Sequence, residues 1–227
     1  MATKPPPPPP LPRLYLATPT VEDPSPLVAA LPELLAQADI AAVLVRLVET
    51  DPRSMISRIK ALAPVIQSYG AAMLIDGHDD LVARGGADGA HLAGLDALQE
   101  ALPSLKPERI AGCGLLPTRH DSMAAGEAGA DYVMFGEPDA HGQRPSTDAV
   151  AERLQWWAEL FEPPCVGFAA SLDQVERFAA AGADFVLVGS CVWDDPRGPS
   201  VALADAEKAL ARGHAALLAG PLKIEQD

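Results

Sequence analysis

Two aspartates, Asp76 and Asp96, each follow a short apolar segment of this 227-residue chain. Asp76 comes directly after segment 71–75, and Asp96 comes soon after segment 89–92. If these segments are neighbouring parallel strands, the two carboxylates meet at one edge and can share a hard cation such as Mg2+. The alternative is structural, with Asp76 starting a turn before Gly77 and Asp96 placing a favourable negative charge in the first turn of a helix.

Arg46, His120 and His141 are the candidates for catalytic chemistry, because each is expected at or just after the end of a strand. Histidine changes its charge near neutral pH and can therefore give or take a proton. The histidines of the chain have no metal-ligand spacing such as His-x3-His, which favours acid–base chemistry for His120 and His141. The alternative is that both are solvated loop residues, and His91 is expected to be a packed strand residue.

Short apolar segments alternate with helix-like segments along the whole chain and would position these side chains. The strands are apolar on both faces, as parallel strands covered by helices should be, and they are predicted at 14–18, 42–47, 71–75, 89–92, 110–114, 132–136, 165–168 and 185–189. A helical segment follows each strand. Strand–helix units repeated in this way predict a single (β/α)8 TIM barrel over residues 13–227.

A Gly-Ala-Asp sequence recurs before three of the predicted strands, and its aspartates are Asp88, Asp131 and Asp184. The glycine can take the left-handed conformation that ends a helix. The aspartate then falls at the start of a strand, which is the rim of a barrel that serves stability. These aspartates are therefore predicted to be structural.

Backbone N–H groups in two later loops are predicted to bind phosphate. In barrels the loops after the seventh and eighth strands often cradle a phosphate at a helix start, and such donors survive side-chain changes. The sequence therefore predicts a phosphorylated small-molecule ligand, bound by Ala169, Ala170, Gly189, Ser190 and, from the loop after the sixth strand, Arg144.

Charge and composition exclude several classes of partner. The chain has 17 basic and 31 acidic residues and a net charge of −14, whereas nucleic-acid binding needs a basic face. No apolar run approaches the roughly 18 residues of a membrane span, and residues 1–12 lack the apolar stretch of a signal peptide. The cysteines, at 113, 165 and 191, are far apart and indicate buried, reduced thiols. We expect a cytoplasmic protein without a nucleic-acid or membrane partner.

The start of the chain differs from the rest. Residues 5–10 are an unbroken proline run, which favours extended polyproline II over packed structure. Residues 1–12 are therefore predicted to be a disordered tail, and the alternative is a docking site for a proline-reading partner.

The order of several motifs resembles the thiamine-phosphate synthase and thiazole tautomerase family. Segment 86–92, followed by Asp96, resembles the synthase signature; segments 14–18, 129–136 and 182–192 are similar to its first, sixth and last strands. The resemblance implies a TIM-barrel homodimer. It also implies that a pyrimidine diphosphate loses pyrophosphate to give a carbocation that the thiazole nitrogen captures, with Mg2+ held by Asp76 and Asp96.

Several charged positions of that family differ here. Its second strand carries glutamine, arginine and lysine on alternate positions, which read Arg46, Val48 and Thr50 in this chain, and Gly77 stands where arginine is usual. Losing one such electrostatic donor costs about 100- to 1000-fold in rate. The sequence therefore predicts weak synthase turnover, whereas Ser190 is retained for phosphate.

Other positions at the same end of the barrel also differ. Gly114 replaces a serine, and segment 137–144 replaces a loop with threonine and lysine. Phe168 and Ala169 replace a glycine pair, and Leu116 corresponds to the histidine of the tautomerase branch. Three interpretations follow: a synthase in thiamine biosynthesis with a remodelled site, an isomerase of a phosphorylated heterocycle, or a non-catalytic protein that binds a phosphorylated ligand.

Overall fold

The computed structural model describes residues 8–220, so the first seven residues of the predicted tail and residues 221–227 lie outside it. The strands are β1 (Arg13–Val21), β2 (Ile40–Leu47), β3 (Ala72–Asp76), β4 (Gly89–Ala93), β5 (Ile110–Gly114), β6 (Tyr132–Phe135), β7 (Cys165–Ala169) and β8 (Phe185–Val188). The helices are α1 (Ser25–Gln37), α2 (Pro52–Gln67), α3 (Asp79–Gly85), α4 (Leu95–Leu105), α5 (Arg119–Ala128), α6 (Thr147–Leu160), α7 (Leu172–Ala180), α8 (Ser190–Trp193) and α9 (Pro199–Ala219).

Within residues 8–220, the eight parallel strands close into a barrel in chain order, because β1 pairs with both β2 and β8. This confirms the predicted (β/α)8 fold. The strand bounds agree with the sequence to within one or two residues except at β1, which extends to Val21, where the Val21 carbonyl accepts the N–H of Val48 at 3.0 Å. After β8, the short helix α8 precedes α9, where the sequence indicated one helix.

Apolar side chains fill two separate layers. Large aliphatic and aromatic residues pack between the sheet and the surrounding helices. A smaller cluster fills the inside of the barrel and consists of Tyr15, Ala17, Leu44, Leu74, Tyr132, Met134, Val166 and Leu187. In the described part of the chain, no helix is both long enough and apolar enough to cross a membrane.

The three repeated aspartates lie at the N-terminal rim, where each one ties its own strand to the preceding strand. Each aspartate donates its N–H to the carbonyl of a residue at the start of that strand, with N···O distances of 2.8 to 3.0 Å. The same residue returns its N–H to the carboxylate: Met73 to Asp88 at 2.7 Å, Ala111 to Asp131 at 2.7 Å and Cys165 to Asp184 at 2.8 Å. These carboxylates satisfy backbone donors, which confirms the structural assignment.

The cysteines are all free, but they are not all buried as expected. Cys113 and Cys165 are buried, whereas Cys191 is partly exposed. Burial raises the pKa of the Cys113 thiol to about 12, so this thiol stays protonated and unreactive. Cys191 differs because it lies in α8, above the barrel rather than within a strand.

Candidate active site

Arg46 and Asp76 form an ion pair at the C-terminal ends of β2 and β3. The Nε atom of Arg46 lies 3.2 Å from Oδ2 of Asp76, and the two side chains are 34% and 41% exposed. The pair is possible because β2 and β3 are adjacent and parallel, so that inward-facing residues at their ends meet. One oxygen of Asp76 is therefore occupied by a protein donor.

Two guanidinium groups lie near the ring of Phe168, which is near the end of β7. The guanidinium carbon of Arg46 is 6.0 Å from the centroid of the Phe168 ring, and that of Arg144 is 4.8 Å away. Cations are attracted to the face of an aromatic ring within about 6 Å. Phe168 thus contacts both Arg46, which was predicted to be catalytic, and Arg144, which was predicted to bind phosphate. These contacts could not be predicted from the positions of the three residues in the sequence.

Arg144 holds the β6–α6 loop against β7. Its guanidinium donates to the carbonyl oxygens of Gly136 and Phe168 and to Oε1 of Gln174 at 3.3 Å. Burial lowers the pKa of Arg144, while the Cys191 thiol acts in the opposite direction. Arg144 therefore lies beside the loops that follow β7 and β8.

The loops predicted to bind phosphate are close together, but one of their donors is occupied. The N–H of Ala170 donates to Oε1 of Gln174 at 2.8 Å, so it becomes free for a ligand only if Gln174 moves. Ala169 is buried and its carbonyl accepts the Cys191 thiol at 3.9 Å. Ser190 is exposed at the first position of α8, directly after Gly189.

Asp96, His120 and His141 are exposed and take no part in these contacts. Asp96 is in the first turn of α4, and His120 is in the first turn of α5. His141 lies in a turn where its N–H donates to Oδ1 of Asp139 at 2.8 Å. Within residues 8–220, neither the His120 nor the His141 imidazole forms a hydrogen bond, and no group of three or more histidine, cysteine or acidic side chains is arranged to hold a metal ion.

A chain of four side chains that the sequence did not indicate extends through the inside of the barrel. Tyr15 and Tyr132 join their hydroxyls at 3.1 Å, and the Tyr132 hydroxyl lies 3.0 Å from Nδ1 of His91. Nε2 of His91 lies 2.9 Å from Oε1 of Glu137. His91 is buried in β4, as expected, but it is paired with a carboxylate and not merely packed.

Burial and mutual contact shift the pKa values of these four hydrogen-bonded side chains. Burial by itself would lower the pKa of His91, but the charge and hydrogen bond of Glu137 raise it overall. Burial would likewise raise the pKa of Glu137, yet the charge of His91 holds it below its ordinary value. Burial raises the pKa of both tyrosines, so Tyr15 and Tyr132 keep their protons.

Two glycines of β5 leave the space that this chain occupies. A Cβ at Gly112 would overlap the ring of Tyr132, and a Cβ at Gly114 would overlap the carboxylate of Glu137. The next residue, Leu115, has a left-handed backbone with φ of 50° and donates its N–H to Oε2 of Glu137 at 2.9 Å. A sequence signal did exist, since Gly112 and Gly114 alternate on one face of a strand.

Glu137 also lines a cavity of about 480 Å3 between the β5–α5 and β6–α6 loops. Its other lining residues include Leu115, Asp139, Arg144 and Arg153. This volume suits a small heterocyclic ligand. The cavity presents both a carboxylate and guanidinium groups.

Known proteins with similar sequences indicate the family of this chain. A family model described as thiamine monophosphate synthase matches residues 14–192. The chain is 37% identical over 196 residues to a protein named thiamine-phosphate synthase from Rhodospirillum centenum, covering 85% of this chain and 95% of the relative. It is 34% identical over 199 residues to the protein of that name from Hyphomonas neptunium, covering 84% and 90%.

Solved structures are similar in fold. A thiamine phosphate pyrophosphorylase from Pyrococcus furiosus superposes with a TM-score of 0.72 at 23% identity, covering 88% of this chain and 96% of that one. A 3-hexulose-6-phosphate synthase from Salmonella typhimurium gives a TM-score of 0.68 at 17% identity, covering 89% and 100%. At these identities the structures establish the barrel and not its chemistry.

Proposed function

Because this chain belongs to the thiamine monophosphate synthase family, we propose that it acts in thiamine biosynthesis by coupling hydroxymethylpyrimidine diphosphate with thiazole phosphate. The observation that carries the proposal is the identity of 37% over 95% of a protein that bears the synthase name. The relatives give no support to an isomerase or to a non-catalytic binding protein, so the synthase is the function we propose. The homodimer implied by the resemblance remains a proposal.

The groups at the C-terminal mouth support the binding of two phosphorylated substrates. Arg46 and Arg144 both place a guanidinium group near the Phe168 ring. Ser190 is exposed beside Gly189, where its N–H and hydroxyl can reach a phosphate. In a protein with a net charge of −14, this local positive charge is what an anionic ligand needs.

Turnover is expected to be slower than about 1 per second, an ordinary enzyme rate. Val48 and Thr50, just after β2, offer no charge to departing pyrophosphate, and neither does Gly77. The measurement is pyrophosphate release from the pyrimidine diphosphate with and without thiazole phosphate. The double variant Val48→Arg, Thr50→Lys should release pyrophosphate faster.

Two results would count against this expectation in different ways. If the unmodified protein releases pyrophosphate at about 1 per second or faster, the prediction of a reduced rate is wrong, but the proposed synthase function is supported. No release that depends on thiazole phosphate, with or without Mg2+, would refute the synthase itself.

Asp76 and Asp96 are proposed to hold Mg2+. The residues fit such an ion, because Asp76 keeps one oxygen free of Arg46 and Asp96 is exposed, and Mg2+ commonly binds one or two carboxylates and completes its shell with water and substrate phosphates. When bound, the ion would neutralise charge on the diphosphate. Arg46 would orient the Asp76 carboxylate from its other side.

Replacing Asp96 by asparagine is expected to weaken Mn2+ binding at least about 10-fold, since a metal site loses one of its two carboxylates. Electron paramagnetic resonance of free Mn2+ measures this change. Asp173→Asn is the matched control, because Asp173 is also an exposed aspartate in the first turn of a helix. Equal Mn2+ binding by both variants would assign Asp96 to the helix start alone.

A further inference from the structure

The 480 Å3 cavity is bordered by two acidic side chains, Glu137 and Asp139, which differ in the groups that they hydrogen-bond. The Asp139 carboxylate accepts the N–H groups of His141 at 2.8 Å and Gln143 at 2.9 Å, and so stabilises its own loop. One oxygen of Glu137 accepts a hydrogen bond from Nε2 of His91, and the other accepts the N–H of Leu115. A carboxylate has about four acceptor positions, so Glu137 keeps acceptor capacity toward the cavity.

Donors converge on Glu137 from deep inside the barrel. When His91 is neutral with its proton on Nε2, Tyr15 can donate to Tyr132, Tyr132 can donate to Nδ1 of His91, and Nε2 of His91 donates to Glu137. When His91 is protonated on both nitrogens, the two phenols reverse their direction and Nε2 still donates to Glu137. In both protonation states the last donor, Nε2 of His91, is directed at the carboxylate of Glu137. Such chains strengthen each member and fix its orientation.

The fold accepts local backbone strain to keep Glu137 in place. Leu115 adopts φ of 50°, which is disfavoured for a residue with a Cβ, and in that conformation its N–H donates to Glu137. Gly114 leaves the space for the carboxylate, and a Cβ there would also lie 2.8 Å from Nε2 of His91. Strain of this kind is typical of functional sites.

We propose that Glu137 is a catalytic residue and that His91 is its positioning residue. The Glu137 carboxylate stabilises the positive charge that develops on the pyrimidine as its diphosphate departs. This role rests on the proposed synthase function and adds to it a residue from the loop that differs from the family pattern. A fixed carboxylate beside a developing charge needs no reorganisation during the reaction.

The reaction step balances without proton transfer to Glu137. The carbon–oxygen bond to the diphosphate breaks, and its electron pair leaves on the diphosphate oxygen. The carbon becomes positive, and the lone pair of the thiazole nitrogen forms the new carbon–nitrogen bond. The positive charge ends on that nitrogen, so Glu137 faces positive charge from the cleavage of the carbon–oxygen bond onward and gains no atom.

The test uses Glu137→Gln in the full-length protein, which preserves the shape of the side chain and removes its charge. We expect kcat for pyrophosphate release to fall about 100- to 1000-fold with KM changed less than about three-fold, because the lost interaction is made in the transition state. Glu152→Gln is the control, since Glu152 is 75% exposed and pairs with Arg119. It should keep the wild-type rate.

Variants of His91 separate positioning from packing. His91→Gln keeps an N–H donor for Glu137 and is expected to retain kcat within about 10-fold, whereas His91→Leu has no donor and should fall to the level of Glu137→Gln. A residue needed only for packing would show the reverse order, because leucine suits a buried site better. Glu137→Asp, which keeps the charge, should retain more activity than Glu137→Gln.

The outcomes distinguish this role from the function on which it rests. A wild-type protein with no synthase activity overturns the proposed function and the role together. An active wild type with an equally active, folded Glu137→Gln overturns the role alone. If Glu137→Gln fails to fold, as judged by circular dichroism, the comparison of Glu137→Asp and the two His91 variants decides the question.

Discussion

Replacing Ser190 by aspartate is expected to abolish binding of thiazole phosphate. Ser190 is exposed next to Gly189, and the aspartate would place a negative charge against the phosphate. At about 4 Å and an effective dielectric constant of about 20, two unit charges repel by about 4 kcal/mol. Since about 1.4 kcal/mol corresponds to a factor of ten, affinity should fall about 1000-fold.

Isothermal titration with thiazole phosphate measures this effect. Ser190→Asn is the matched control, because asparagine has nearly the same shape as aspartate without the charge. It should weaken binding far less than aspartate does. If the affinity of Ser190→Asp for thiazole phosphate is within about three-fold of the wild-type affinity, Ser190 does not contact the phosphate. The cavity lined by Arg144 and Arg153 is then the alternative phosphate site.

Replacing Gly114 by serine is expected to reduce both stability and activity. A Cβ at this position overlaps the Glu137 carboxylate and crowds His91, so Glu137 must leave its place. Overpacking of this kind costs about 1–3 kcal/mol of unfolding free energy. The rate should also fall about 100-fold or more, as for the loss of any fixed electrostatic group.

A double variant distinguishes the two effects. Gly114→Ser combined with Glu137→Ala removes the overlap, so chemical denaturation should show stability partly restored while the rate stays low. Ala93→Ser is the control, because Ala93 is exposed at the end of β4 and pairs with Gly114 in the sheet. Wild-type stability and rate in Gly114→Ser alone would show that this glycine is not needed for the placement of Glu137.

The alternation of apolar strands and helical segments determined the barrel. Parallel strands covered on both faces are recognisable as short apolar runs, and their bounds were predicted to within a few residues. The structural role of the Gly-Ala-Asp repeats was also predictable, because the glycine ends a helix and the aspartate precedes a strand, where it hydrogen-bonds the backbone of the adjacent strand. Local rules of this kind need no knowledge of distant contacts.

The site was predicted only in part. Chain position placed Arg46, Asp76 and Arg144 at the mouth, but their partners come from other strands, as the Arg46–Asp76 pair and the Phe168 ring show. The predicted roles of His120 and His141 remain predictions, since the structure places both on the exposed surface. His91 was expected to be a packing residue because a lone histidine in an apolar strand usually is.

The sequence by itself determined the fold, the rim aspartates and the family, since each is recognised from short local patterns of residues. Only the tertiary structure decided that His91, Tyr15, Tyr132 and Glu137 form one hydrogen-bonded chain. These residues come from three different strands and a loop, and they meet because closing the barrel turns them toward one axis. Their contact also requires glycine at position 114, because a Cβ there would overlap the Glu137 carboxylate. The sequence cannot show this requirement, because it does not show which side chain occupies the space beside the glycine.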